Sequence, residues 1–554
     1  MNGQSKLARF LPIAFVLIVI VLAACVAPTP STIAPTTAKP SGPSGDLKIA
    51  VRDDAKNINP YLAATATDQR IVGLMYDTLL AWDDNKGLVP WLASEYKCAD
   101  DGLSCVFKID PKATWHDGTA LTEKDVEYSF NMIREKQFPS IVASIAALDK
   151  VTATGEREIT MTFKQKQVDT LRFVGTVVSI IPKAQWDKVP DAKNYANWDK
   201  PTGSGAFKLK ERVEGQYIVL ENTSAHYRFK PAIKTITLQV TKDENVSLLA
   251  LKKGDVDAIY DGISPNVAID IQKNPANYPG IKVVTTGGTG TSTLMWNTRK
   301  APYDNAAFRK AIAQAVDVDA IIKNALQGFA DRASAGLVPP AAGAFFNKNI
   351  SPIKYDDAAA KAALDAAGFK DANNDGLREL PDGKPLKIEI LTLNVPPSTD
   401  IGDLIVAQLK KVGINASTTP LTSDAQLERL RTANFDAALA NVSLSVPNMM
   451  FYFFNSTRGD MKDGRVVGNN RSGFKNEEYD KLSVASLAEF DQAKRVQTHN
   501  RLQEILGQEL PVVPLYHSQV LGVYNEARFT GWVVKPGTGI ENFESYEKLA
   551  YTAK

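Results

Sequence analysis

The chain has 554 residues, 44% of them hydrophobic and 23% charged, which is enough for a large core and more than one lobe. Its 64 basic and 62 acidic residues nearly cancel, and no basic block or basic–aromatic interleaving occurs, so nucleic acid is excluded as the expected partner. The four histidines, His116, His226, His499 and His517, are scattered, and none forms a close ligand pair in sequence, which disfavours nickel.

Lys6 and Arg9 precede the apolar run Phe10 to Leu22, and Ala23-Ala24 then lead into Cys25. A run this short, flanked in this way, reads as a signal peptide over 1–24 and not as a spanning helix. Leu22-Ala23-Ala24-Cys25 resembles a bacterial lipobox, in which Cys25 is lipidated and becomes the first mature residue. An ordinary cleavage site is the alternative. Residues 25–45 are almost entirely Ala, Pro, Thr, Ser and Gly, too poor in apolar surface to fold, and they read as a disordered tether. No second long apolar run follows, so the remainder is expected to be attached to the membrane only by lipid.

Beyond the tether, Asp46 to Val51 alternates like a strand, Asn59-Pro60 breaks the chain, and Ile71 to Leu80 has helical spacing. Cys98 and Cys105 flank the turn signal Asp100-Asp101-Gly102 between strand-like runs, which predicts a cross-hairpin disulfide in an oxidising compartment. Two free, partly buried thiols are the alternative. Thr122 starts a helix with Asp125 in its first turn, and Val151 to Lys164 and Phe207 to Leu220 alternate as strands. The second half is more helical. Phe308, Ala311, Ile312, Ala315 and Val316 share one face, and Asp319 is positioned to cap the next helix, which ends at Gly328. Asp356-Asp357 precede an alanine-rich helix ending at Gly368. A strand over Leu386 to Leu393, a helix over Ile401 to Val412, a helical pair over Glu478 to Leu506 and a strand over Val512 to Val523 complete an α/β protein in two lobes.

Several blocks, in this order, resemble the peptide/nickel-binding proteins of ATP-driven importers, solute-binding protein family 5. They include Asn59-Pro60 with Val72 to Leu79, Pro90 to Ala93, Trp115 to Gly118, and Leu121 to Val126. Thr202 to Leu209, Leu249 to Asp257, Trp296-Asn297, Phe308 to Ile312, Arg471 to Phe474 and Leu510 to Leu515 continue the series across nearly the whole mature chain. The resemblance implies a bilobed, type II periplasmic-binding-protein-like fold with an extra subdomain and a ligand cleft between the lobes. Lobe I would comprise 46–84, 201–285 and 520–554, the extra subdomain 85–200, and lobe II 286–519. It implies a lipid-anchored, monomeric, extracytoplasmic (periplasmic or cell-surface) binding protein that delivers a solute to an ABC permease and ATPase complex. Such a protein needs no cofactor and is not an enzyme.

Peptide-binding members often carry an aspartate that holds the peptide ammonium. The corresponding stretch here is Ala440 to Pro447, where Ser443 and Val446 stand in place of the acids. An unpaired buried ammonium is costly, so an oligosaccharide or other neutral solute is the alternative to a di- or oligopeptide. Trp296, Asn297, Asn441, Ser443 and Phe451 are the candidate ligand contacts, since aromatic faces and amides suit either solute; core packing is the competing role for the aromatics. Asp371, Asn373, Asp375 and Asp382 fall at positions one, three, five and twelve of a calcium-loop template, with Gly376 at six. A plain polar turn is the alternative, and a bound calcium would be structural. A rival exported hydrolase lacks a Gly-x-Ser-x-Gly elbow and a His-Glu-x-x-His helix; a purely adhesive surface lipoprotein would need no closing cleft.

Overall fold

The computed structural model describes residues 45–552 apart from 84–86, 140, 167, 224–225, 229–230, 232 and 445. The leader, the lipidation of Cys25 and the tether up to residue 44 lie outside the described residues. Among the described residues, no helix is long and apolar enough to cross a membrane.

A twelve-stranded sheet runs through the molecule. Its strands in chain order are β1 (Asp46–Val51), β2 (Phe207–Val213), β3 (Tyr217–Asn222), β4 (Thr235–Val240), β5 (Ala258–Ile259), β6 (Ile281–Gly287), β7 (Gly290–Trp296), β8 (Ala330–Arg332), β9 (Lys387–Leu393), β10 (Asn415–Leu421), β11 (Ala437–Ser443) and β12 (Val512–Asn525). The spatial order is β10-β9-β11-β7-β12-β5-β1-β4-β3-β2, with β6 and β8 also paired to β12. β1 is parallel to β4 and β5, and β9 is parallel to β10 and β11. Parallel pairs need crossover helices on the sheet faces, and a strand covered on both faces is apolar on both sides. β7 shows the consequence: Leu294 and Trp296 enter one core and Met295 the other, because successive side chains point to opposite faces.

The apolar clusters separate the lobes. One joins Leu47 and Ile49 of β1 to Phe107, Phe130, Trp186 and Phe207, so the segment near 85–200 shares its core with the chain start. Two others lie wholly between Leu294 and Tyr516. A fourth packs Leu251, Ile259, Ile271, Ile281 and Val523 beneath β5 and β6. Within the 85–200 segment, Ala93–Cys98, Ser104–Ile109, Glu158–Phe163 and Leu148–Gly155 form a four-stranded antiparallel sheet. There Cys98 and Cys105 face each other in register and are disulfide-bonded, closing the turn in which Gly102 takes φ +69°.

β12 belongs to both lobes. Its first half pairs with β7 from Met295↔Val512 to Ser292↔Tyr516, and its second half pairs with β6 from Gly287↔Gln519 to Ile281↔Asn525. Between β6 and β7 the chain passes Gly288, where a Cβ would lie 2.2 Å from the Ser518 carbonyl oxygen. The glycine-rich Gly287 to Gly290 stretch is therefore a backbone-to-backbone contact at the crossing and not a phosphate loop. A second tie links the 85–200 segment to the other lobe. Asp169, on the helix Val168–Thr176, forms a buried ion pair with Arg495 on the helix Gln492–Glu509.

Element ends follow local chemistry. Thr65 and Asp68 form a capping box at the helix Ala66–Met75, and Thr122 and Asp125 do the same at Glu123–Lys136. The helix expected to be capped by Asp319 begins two residues earlier. Asp317 accepts from the Ala320 amide and the helix runs Val318–Asn324, because the carboxylate must stand outside the first turn to reach it. The helix Ala66–Met75 also stops short of Leu80, since Thr202 to Gly205 crosses its end: the Gly205 amide donates to the Met75 carbonyl at 2.8 Å.

A Cβ on Gly203 would sit 1.9 Å from the Met75 carbonyl oxygen, whereas one on Gly73 meets nothing within 4 Å. Gly203→Ala should cost about 1–3 kcal/mol in urea unfolding, while Gly73→Ala, inside a helix, should be neutral or stabilise by up to about 1 kcal/mol. Equal effects at the two sites would contradict this packing.

Candidate functional site

The carboxyl ends of parallel strands are where loops gather and ligands find open backbone. In one lobe, Tyr260 to Ile263 follow the carboxyl end of β5, beside Arg52 at the end of β1. In the other, Asn394 to Pro397 follow β9, and the parallel strand β11 ends nearby at Ser443. A cavity of about 680 Å³ opens between these ends. One wall is Tyr260 to Ile263 with Pro265, the other is Ala325 to Gln327 and Phe329 with Pro396, Pro397 and Asp400, and Ser518 to Leu521 of β12 forms its floor.

The walls are apolar with a few polar groups, the usual character of a small-molecule site. Both charged residues in the lining are acids, Asp261 on one wall and Asp400 on the other. Asp261 accepts from the Arg52 amide and lies 2.7 Å from Nη2 of Arg70. The same Arg70 guanidinium grips Glu541 through Nε and, at 2.8 Å, through Nη2. Burial opposes the Arg70 charge, but Glu541 and Asp261 outweigh it and hold the guanidinium above its ordinary range. Arg70 is thus one cation shared between two carboxylates. Asp400 stands exposed in the first turn of the helix Ser398–Lys411, accepting from the Thr399 hydroxyl at 3.4 Å. Gln519 donates to Asp331 at 3.0 Å, which fixes the amide at the crossing.

The residues named from sequence are distributed differently. Asn441 and Ser443 are exposed on β11, opposite Ser292 and Gly290, and Asn441 Oδ1 accepts from the Ser292 hydroxyl at 2.8 Å. Topology brings them to the same end of the lobe as Asp400, although they do not line the 680 Å³ cavity. Phe451 is half-buried on the short helix Met449–Phe454, edge-on to Tyr452 at 5.3 Å, whereas Phe454 is buried against Phe474 and Tyr479.

Trp296 and Asn297 are placed away from the cavity, in the packing of their lobe. Trp296 is 0% exposed and stacks on Tyr303 at 5.5 Å. Asn297 is 2% exposed, and its Nδ2 donates to the carbonyls of Ala433 (2.9 Å) and Phe435 (3.0 Å), which positions the entry to β11. Arg309, in the same sequence block, spends its guanidinium on the carbonyls of Tyr303, Glu509 and Leu510 at the carboxyl end of a helix. These motif residues satisfy buried backbone and do not face solvent.

The Asp371 to Gly376 turn is built on its own acids. Asp371 accepts from the amides of Asp375 (3.1 Å) and Gly376 (3.0 Å), and Asn373 Oδ1 accepts from the Asp375 amide at 2.8 Å. Among the described residues, Asp371, Asp375 and Glu379 form the single carboxylate group with oxygens within 4.8 Å of one another. The expected ligand Asp382 is directed elsewhere, to Lys384 Nζ at 2.7 Å, because two residues of turn bring that ammonium closer than the loop. Glu379, at position nine, occupies the place expected of Asp382.

Two of the four histidines, His116 and His226, lie close enough to act on each other, with Asp77 acting on both, while His499 and His517 lie elsewhere. The Gly203 amide donates to His116 Nδ1 at 3.1 Å, so Nε2–H donates to the Gly205 carbonyl at 3.0 Å and the ring is neutral. Burial lowers His116 to about 4, and burial beside Arg495 lowers His499 to about 3. His226 lies against Asp77 at 3.4 Å, and His517 contacts the Thr291 hydroxyl at 3.0 Å.

The cavity acids Asp261 and Asp400 were not among the residues singled out from sequence. Asp400 had a weak signal, a carboxylate opening a helix just past Pro396-Pro397. Asp261 had none, since its role depends on Arg70 and Glu541, far apart in the chain.

A family model described as bacterial extracellular solute-binding proteins, family 5 (middle region), matches residues 87–463. The oligopeptide-binding protein AppA of Bacillus subtilis (strain 168) is 27% identical over 480 residues, covering 85% of this chain and 86% of that one. The nickel-binding periplasmic protein of Escherichia coli (strain K12) is 26% identical over 372 residues, covering 65% and 68%. The structure of Bacillus subtilis AppA in complex with a nonapeptide superposes with a TM-score of 0.69 at 25% identity, covering 92% of this chain and 99% of that one. HbpA2 from Haemophilus parasuis reaches 0.79 at 20% identity, covering 92% and 100%, a likeness of fold.

Because both depressed histidines are neutral when folded and protonate when unfolded, their stabilisation is complete above pH 6.5 and is lost as pH falls toward 4 for His116 and 3 for His499. Each should contribute about 1.4 kcal/mol per pH unit within its window. Urea midpoints between pH 7 and 4.5 should drop accordingly, with a shallower fall in His116→Gln and in His499→Leu. An unchanged slope in both variants would count against neutral buried rings.

Proposed function

We propose that this chain, which belongs to the bacterial extracellular solute-binding proteins of family 5, captures a di- or oligopeptide in the cleft between its lobes and delivers it to an ABC permease and ATPase complex. The observation that carries the reading is the cavity of about 680 Å³ walled by strand ends of both lobes and floored by the strand they share. Closure of the lobes about that strand would bury the solute and present the permease with a shape distinct from the open one. No bond needs to change, and binding energy is the whole mechanism. The named relatives likewise bind solutes: AppA an oligopeptide, the Escherichia coli protein nickel.

A peptide is favoured over a neutral oligosaccharide by charge. Asp261 and Asp400 are the charged residues of the cavity lining, and a carboxylate there suits a solute carrying an ammonium. They would take over the task that Ser443 cannot perform, while Asn441, Ser443 and Phe451 would contact the remainder of the peptide. The histidines speak against nickel as the cargo, since none lines the cavity and His116 engages both ring nitrogens with backbone.

The same reading takes 46–84, 201–285 and 520–554 as lobe I, 85–200 as its extra subdomain and 286–519 as lobe II. It places the mature protein outside the cytoplasm as a monomer, tethered through lipidated Cys25, with the Cys98–Cys105 bond suited to an oxidising compartment. No cofactor enters, and a calcium held by Asp371, Asp375 and Glu379 would be structural.

Two measurements test this. Tri- to pentapeptides at about a hundred times their dissociation constant should add about 2.7 kcal/mol of stability in a thermal-shift assay. Asp400→Asn should weaken that binding about tenfold, and N-acetylated peptides should bind the unsubstituted chain with similarly reduced affinity. A response to oligosaccharides alone would overturn the peptide assignment. Separately, millimolar calcium added after chelation should raise the melting temperature of the unsubstituted chain and not of Asp375→Ala; no rise would reduce the loop to a polar turn.

A further inference from the structure

The opposite end of lobe II carries an unexplained charge. The helix Ser423–Arg431 leaves the carboxyl end of β10, beside the cleft, and runs back to the amino end of β11, so Arg431 lies far from Ser443 along the sheet. The chain leaving β7 arrives at the same distal end. There the Thr298 amide donates to Ser472 at 2.8 Å and Arg299 Nη1 donates to the Arg471 carbonyl at 2.7 Å. A cavity of about 360 Å³ lies there, and its charged lining consists of Arg431, Arg458, Arg465 and Arg471.

Of these four guanidiniums, Arg465 is paired, taking Glu428 in a two-pronged contact at 2.8 and 2.7 Å. Arg431, Arg458 and Arg471 have no carboxylate within ion-pair distance among the described residues. Among the described residues, the Nε atoms of Arg458 and Arg471 are buried without a hydrogen-bond partner, and the Arg458 guanidinium carbon lies 5.6 Å from the centre of the Tyr452 ring. Burial, with the neighbouring Arg431 charge, lowers Arg471 from its ordinary range, as expected for cations crowded together. Like charges converging on one cavity are unfavourable. That repulsion is relieved by an anion offering several acceptor oxygens, for which arginine's planar fork is well matched.

We propose that this cavity is an oxyanion site for a phosphate-class anion, either free or as the headgroup of an anionic lipid, independent of the solute cleft. Arg431, Arg458 and Arg471, which all line the cavity, would supply the charge the anion neutralises and the guanidinium N–H donors it accepts from. The site lies apart from the cavity that floors on β12, so it would not compete with solute.

The test follows thermal unfolding of the purified, unlipidated chain and of Arg431→Gln and Arg471→Gln, in sodium phosphate and in sodium chloride at matched ionic strength. Arg431 is exposed, so its replacement leaves the fold intact even should Arg471→Gln fold poorly. In chloride, Arg431→Gln should melt at or above the unsubstituted chain, because it removes repulsion. In phosphate the order should reverse, with the unsubstituted chain rising at least twice as far. Equal rises in both proteins would mark a general salt effect and overturn the proposal. In a second arm, sedimentation with phosphatidylglycerol vesicles that phosphate competes away and Arg431→Gln loses would assign the headgroup. A phosphate response without vesicle binding would assign the free anion, and no response in either arm would overturn the site.

Discussion

The two lobes share one strand, and the rest of the molecule is arranged around that constraint. β12 is hydrogen-bonded to β7 through its first half and to β6 and β5 through its second. A continuous ladder cannot be broken at mid-strand without leaving backbone donors unpaired, so this strand holds the two lobes to each other. Gly288 lets the return chain lie against Ser518 at the same level, which concentrates both crossings in one narrow region. The apolar clusters on either side of it are largely separate.

The cleft is a consequence of the same arrangement. Parallel strands on each side direct their carboxyl ends toward the crossing, so loops from distant parts of the sequence converge over β12. Asp261 is held by Arg70, and Arg70 by Glu541, so a wall of the cavity depends on the start, middle and end of the chain at once. The buried Asp169–Arg495 pair adds a tie between the 85–200 segment and the far lobe, away from the shared strand. Breaking one partner of such a pair leaves an uncompensated charge, which makes it a sensitive point for the relation of those parts.

The charge of the chain is near zero overall, yet it is divided sharply in space. The cavity above β12 is acidic, and the distal end of lobe II gathers arginines. A net balance of 64 bases and 62 acids conceals both regions. Electrostatic complementarity acts through local fields, so the two ends of one lobe can attract opposite ions.

Periodicity, capping chemistry and turn signals made the elements legible from the residues alone. The strands at Asp46 and Lys387 announce themselves by their own alternation, although their partners are remote, and the helices opened by Thr122 and Asp356 and the disulfide-bonded hairpin depend on interactions within a few residues. The collinear blocks were equally legible, and they identified the family, but most of them encode packing. Asn297, Arg309, Gly203 and His116 each satisfy or closely approach buried backbone. The sequence by itself therefore determined the α/β class, the order of elements and the family, because local hydrogen bonding and burial patterns are written in short-range residue spacing. Only the tertiary structure decided that Trp296 and Asn297 belong to the core, that Glu379 and not Asp382 joins Asp371 and Asp375, and that Asp261 and Asp400 face one cavity. The first and last of these depend on segments distant in the chain, Asn297 against Ala433 and Asp261 across from Asp400, whose approach is set by how the lobes fold onto β12; the second is local, because the path of the turn and not residue type decides which carboxylate points inward.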